Sequence, residues 1–147
     1  MSAANVLKYI KEKDAEFVDL RFTDPRGKLQ HLTMDSTVVD EGMLNEGVFF
    51  DGSSIAGWKA INESDMILKP DTSRMFMDPF TSHNTVVLFC DILDAIKKTP
   101  YERDPRGIAK KAEEYLKSSG IGDKAFFGPE PEFLSLIHIS EPTRHSA

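Results

Sequence analysis

Two short segments concentrate the residues that could do chemistry. The first is Gly128-Pro129-Glu130-Pro131-Glu132-Phe133. On a strand, alternation would send Glu130 and Glu132 to one face, with their Cα atoms about 6.5–7 Å apart. Carboxylates that close repel each other and resist desolvation unless a cation stands beside them. Hard divalent ions such as Mg2+ or Mn2+ take oxygen ligands. The same pattern also suits a solvated acidic strand edge, because each proline removes a ladder N–H. The second segment is Phe50-Asp51-Gly52-Ser53-Ser54. Glycine permits a tight backbone, and one carboxylate with two hydroxyls can point into a cleft. An ordinary Asx or Ser turn is the plainer alternative. Trp58, the sole tryptophan, follows closely; tryptophan is more often a core or interface anchor than a ligand contact.

The rest of the chain supplies elements that could position these groups. It has 147 residues, 40% hydrophobic and 29% charged, with a net charge of −6. This is a globular balance for one domain, or for one small domain and part of another. An acidic chain has no broad basic footprint, so neither nucleic acid nor an anionic membrane is expected as a partner. No apolar run reaches the ~20 residues of a membrane span. Met1-Ser2-Ala3-Ala4-Asn5 has no signal-peptide pattern, and a cytoplasmic protein is expected. Cys90 lies in an apolar run and reads as a buried, inert thiol.

Val6, Leu7 and Ile10 predict a helix over about Ala3–Lys13, with Ser2 as a candidate N-cap. Phe17–Phe22 alternates, with Val18, Leu20 and Phe22 on one face. Asp24-Pro25-Arg26-Gly27 suits a turn, so Leu29–Met34 is the return strand of a hairpin. A short helix over Asp40–Asn45, with Gly47 after it, leads to Val48-Phe49-Phe50. Residues 55–64 read as a loop. Met66–Leu68, Arg74–Met77 and Thr85–Ile92 are further strands, the last apolar enough to be covered on both faces, so that Val87 and Phe89 are expected to be buried. Asp104 and Pro105 fit the N-cap and first turn of a helix ending near Gly120, with a Glu113–Lys117 pair on it. A strand over Ala125–Phe133 would follow. The fold class is α+β.

Taken together, Phe50-Asp51-Gly52-Ser53-Ser54 and Glu63-Ser64-Asp65-Met66-Ile67-Leu68 resemble the N-terminal signature of bacterial-type glutamine synthetases. Phe17–Asp24, Gly57-Trp58-Lys59, Asp104-Pro105-Arg106 and Gly128–Phe133 resemble the same family in the same order. The resemblance implies an ATP-dependent glutamate–ammonia ligase that forms glutamine through a γ-glutamyl phosphate. It implies two Mg2+ or Mn2+ ions, with Glu130 and Glu132 as metal ligands, and Asp51 as a catalytic carboxylate that helps bind ammonium. Ser54, Trp58 and Asp65 fall on positions that line or latch that site. The partners implied are glutamate, ammonium, ATP and the neighbouring subunits of a homo-oligomeric ring, against which the Trp58 loop would dock.

The implied organisation is a leading helix over 1–14, a β-grasp domain over 15–98 and the start of a catalytic domain over 99–133. Residues 134–147 resemble translated sequencing-adapter DNA and are expected to be a non-native tail. His138 and His145 are accordingly not counted as metal ligands. An N-terminal fragment of the ligase, inactive by itself, is thus the expectation. The alternatives are a stand-alone β-grasp module that binds a partner, or a small metal-dependent hydrolase using Glu130 and Glu132.

Overall fold

The computed structural model describes residues 2–58 and 64–132. Helix α1 (Ala3–Glu12) buries Ala3, Val6 and Ile10. Ser2 holds the N-cap position, but its side chain makes no capping bond; its carbonyl accepts from the Asn5 and Val6 amides instead. Strands β1 (Phe17–Thr23) and β2 (Leu29–Asp35) form the expected antiparallel hairpin, with Leu20 opposite Leu32. The Asp24 carboxylate organises its turn by accepting from the Arg26 and Lys28 amides and from Gln30.

Helix α2 (Glu41–Glu46) starts where the Asp40 side chain accepts from the Met43 amide. It stops at Gly47, whose φ of 91° lies in the region that favours glycine. Glycine is doubly required there, because a Cβ would come within 2.5 Å of the Leu68 carbonyl oxygen. Strands β3 (Val48–Asp51), β4 (Asp65–Pro70), β5 (Phe76–Met77) and β6 (Thr85–Asp94) complete the sheet.

The sheet order is β2-β1-β6-β4-β3, with β5 beside the first half of β6. The pairs are antiparallel except β1 with β6, which run parallel at the centre. A parallel pair needs a long crossover; here everything from β2 to β5 makes that crossing. This mixed α+β sheet is the expected β-grasp arrangement. Both α1 and α2 cover one face. Val18, Leu20, Phe22, Met66, Leu68, Val86, Leu88, Cys90 and Ile92 meet Val6, Ile10 and Leu44 there. Full burial of a side chain such as Leu20, Leu44 or Leu88 contributes about 1.5–3 kcal/mol.

The expectation that β6 is covered on both faces is only half met. Val87 is fully buried, but Phe89 is 37% exposed. It points to the face opposite α1 and α2, towards Pro105 and Arg106, where its only ring neighbour among the described residues is Phe76, at 6.2 Å between centroids. An apolar run does not say whether a second layer exists to cover it. The Arg74–Met77 candidate is also shorter than expected: only Phe76–Met77 pairs.

Helix α3 (Pro105–Ser119) begins with Asp104 as N-cap and Pro105 in its first turn, and ends at a left-handed Gly120. Glu113 and Lys117 pair at 2.8 Å, as their spacing predicts. None of its residues is buried. Its start is tied to the sheet by Arg106, which bridges Asp71 and Asp91, and by Lys110 on Asp91. The strand expected over Ala125–Phe133 does not form among the described residues: 123–132 have no regular structure. Pro129 and Pro131 donate no backbone hydrogen bond, and no strand edge is paired with this segment. Phe133 and the tail lie outside the described residues.

Candidate functional site

Strand β3 ends at Asp51, and the chain turns into a single 3-10 turn over Gly52–Ser54. The turn is written in the residue types. The Asp51 carboxylate accepts from the Ser53 amide at 2.8 Å and from the Ser53 hydroxyl at 2.6 Å, with Ser54 Oγ at 3.3 Å. Ser53, more than Ser54, is therefore its principal partner, and the Asp-Gly-Ser-Ser pattern already contained that signal. These bonds, with one from Ser64, hold the Asp51 carboxyl below the ordinary aspartate range. The group is exposed and anionic. Asp65 sits directly across the β3–β4 ladder from it. Two carboxylates at one strand end make a locally negative edge, suited to a small cation.

Behind Asp51 the loop is held by contact. The Gly52 amide donates to the Ser64 carbonyl at 2.7 Å. A Cβ on Gly52 would meet Met66 Sδ at 2.3 Å and the Ser64 oxygen at 2.9 Å. Only glycine lets β3 and β4 approach this closely as the chain leaves the sheet.

Of the two roles the sequence offers Trp58, core or interface anchor, the structure shows the first: it is only 6% exposed. Its ring stacks on Phe22 at 5.6 Å and meets Phe50 at 6.0 Å and Tyr101 at 5.9 Å edge-on. A large aromatic beside three other rings gains more from its own core than from waiting for a partner. Its indole Nε1 is buried without a hydrogen-bond partner among the described residues. Two residues that the sequence reading passed over support the same loop: Tyr101 Oη donates to the Trp58 carbonyl at 3.1 Å, and Arg103 Nη1 to the Gly57 carbonyl at 2.9 Å.

Glu130 and Glu132 are exposed on the irregular segment after α3 rather than on a strand. Among the described residues, no three of His, Cys, Asp and Glu gather closely enough to hold a metal ion. A hard divalent ion wants about six oxygens, so two solvated carboxylates do not fit the implied metal by themselves.

A second polar cluster escaped the sequence reading. On the sheet face opposite α1 and α2, Asp19 is 3% exposed and accepts from Arg21, His31 and Thr33 at 2.7–2.8 Å. Arg21 also pairs with Asp78. Burial works to raise the Asp19 pKa, but the bonds from Thr33, His31 and Arg21 prevail and hold it below the ordinary value. The polar residues at alternate positions of β1 and β2 were its available signal.

The family model described as "Glutamine synthetase, beta-Grasp domain" matches residues 14–95, more than half of the chain. The chain belongs to the glutamine synthetase family. It is 66% identical over 135 residues to a glutamine synthetase of Rhizobium meliloti, covering 91% of this chain and 29% of that protein. The chain thus spans less than a third of the length of this relative. It is also 54% identical over 133 residues to a 3-hydroxylaminophenol mutase of Cupriavidus pinatubonensis, covering 90% of this chain and 28% of the relative. A Plasmodium falciparum glutamine synthetase structure superimposes with a TM-score of 0.73 at 28% identity, covering 82% of this chain and 23% of that one. Relatives more than 50% identical to this chain thus bear two different activity names. No helix among the described residues is long and apolar enough to cross a membrane.

Proposed function

We propose that this chain is the β-grasp part of an ATP-dependent glutamate–ammonia ligase, and that Asp51 is its contribution to the ammonium site. The observation that carries the reading is the exposed Asp51 carboxylate, kept anionic by Ser53 and Ser54 at the end of β3. An anionic oxygen held by short bonds to its own turn attracts an ammonium ion and can take a proton from it as ammonia attacks an acyl phosphate. Asp65 reinforces the negative edge, while Ser54 and the buried Trp58 shape the loop that presents it.

Glu130 and Glu132 would each give one ligand to Mg2+ or Mn2+ in a complete enzyme. The remaining ligands, the nucleotide site and the glutamate site would come from residues other than those described here, including a neighbouring subunit. By itself the chain is expected to make no glutamine. The mutase relative offers a second activity for the same sheet, but the higher identity of the Rhizobium meliloti protein favours the ligase.

Fusing residues 1–132 to the downstream part of that relative provides the test. Glutamine formation by the fusion, with Asp51→Asn raising the ammonium KM at least about ten-fold, is the expected result; a tenfold change corresponds to the loss of about 1.4 kcal/mol of binding, typical of a charged contact. An active fusion whose ammonium KM ignores Asp51→Asn would refute the assignment. Mutase activity without glutamine formation would favour the second reading.

A further inference from the structure

We propose that Tyr101 and Arg103 are positioning residues that clamp the Asp51-bearing loop from behind. The inference rests on the reading of Asp51 given above and extends it to residues far along the chain. Past the 3-10 turn, the loop from Gly52 to Trp58 makes backbone bonds from Ile55 N to the Gly52 carbonyl and from Trp58 N to the Ile55 carbonyl, both at 3.2 Å. Gly57 has φ of 89° and nothing within 4 Å of where a Cβ would stand.

Two consecutive carbonyls at this point are taken by side chains two residues apart. Arg103 Nη1 donates to Gly57 O at 2.9 Å, and Tyr101 Oη donates to Trp58 O at 3.1 Å. The Tyr101 ring also braces the Trp58 ring edge-on. The clamp is itself anchored. The Tyr101 amide donates to the Ile92 carbonyl at 2.8 Å, and Pro100 bridges Leu93. The Ile92 amide in turn donates to Asp104 Oδ2 at 3.2 Å, which is the N-cap of α3. Residues 100–104 therefore line the second half of β6 and carry its rigidity to the loop. This segment is the brace between the sheet, α3 and the Asp51 loop.

Tyr101→Phe removes one hydroxyl and keeps the ring, so a role in packing alone predicts no change in the loop. The clamp predicts that amide exchange at Ile55 and Trp58 quickens about five-fold in the 147-residue chain, the worth of one net hydrogen bond. Acrylamide quenching of Trp58, the only tryptophan, should rise with it. Arg103→Ala should have the same effect on the loop, and Arg103→Lys should restore part of it. Unchanged loop exchange in both Tyr101→Phe and Arg103→Ala would overturn the clamp.

In the fusion enzyme, Tyr101→Phe should raise the ammonium KM about five-fold with little change in kcat. A KM that ignores Tyr101→Phe yet responds to Asp51→Asn overturns the positioning role and leaves the Asp51 reading standing. A KM that ignores Asp51→Asn overturns that reading, and loop exchange then decides the clamp alone.

Discussion

Gly52→Ala puts the closest approach in the candidate site under direct strain. The added Cβ would lie 2.3 Å from Met66 Sδ, 2.7 Å from Met66 Cγ and 2.9 Å from the Ser64 carbonyl oxygen. Ordinary contacts between such atoms are about 3.5–4.0 Å, so the shortfall exceeds about 1 Å. Met66 is fully buried and cannot simply swing into solvent. Rotating it would still leave the Ser64 backbone in the way. Overpacking of this kind costs about 1–3 kcal/mol. We expect about 3 kcal/mol, because the Gly52–Ser64 hydrogen bond must lengthen as well. For a domain of this size that lowers the thermal midpoint by about 10–20 °C.

Circular dichroism melts and urea titrations of the chain and the variant measure the effect. A double-mutant cycle then tests the cause. Met66→Ala alone should cost about 2–5 kcal/mol by leaving a cavity. The new Cβ can enter that cavity, so the double variant should be about 1–2 kcal/mol more stable than the sum of the singles predicts. A Gly52→Ala midpoint within about 2 °C of the parent, or a strictly additive double variant, would show that Met66 does not limit the approach of the strands.

Asp19→Asn should destabilise the chain by about 2–3 kcal/mol at pH 7, by weakening charge-assisted bonds from Arg21 and His31 and the bond from Thr33. Because the folded Asp19 pKa lies below its unfolded value of about 3.9, its contribution is present above that pH and fades as the pH falls through the folded pKa. Urea midpoints of the chain and the variant should therefore draw together as the pH falls below about 3.9, and a gap that stays constant down to pH 2 would contradict the assignment. Burial pushes the Cys90 thiol well above its usual pKa, so a thiol reagent at pH 8 should modify it only as fast as the chain unfolds. Rapid labelling of the folded chain would show that the central strand is open.

Much of the fold was already written in local chemistry. The period of two in Phe17–Phe22 chose the face that β1 buries, since a one-residue slip would expose Val18, Leu20 and Phe22 together. Asp40 and Asp104 marked helix starts because their short carboxylates meet free amides there. Asp51-Gly52-Ser53-Ser54 announced its turn in the same way, and the family resemblance identified the carboxylate it presents.

Other features were beyond any local pattern. Whether Phe89 is covered depends on a second layer that its neighbours in sequence do not encode. Whether Glu130 and Glu132 share a strand face depends on a partner edge, and none is present among the described residues. Trp58 turned inward because folding brought Phe22, Phe50 and Tyr101 to it from three separate segments. The Asp19 cluster and the Tyr101–Arg103 clamp arise in the same manner, from residues 12–14 and 43–46 positions apart. Side-chain type and spacing determine what a segment can do with its own backbone. Burial, and the pairing of polar groups between distant segments, are decided only when the tertiary fold sets which surfaces lose water together.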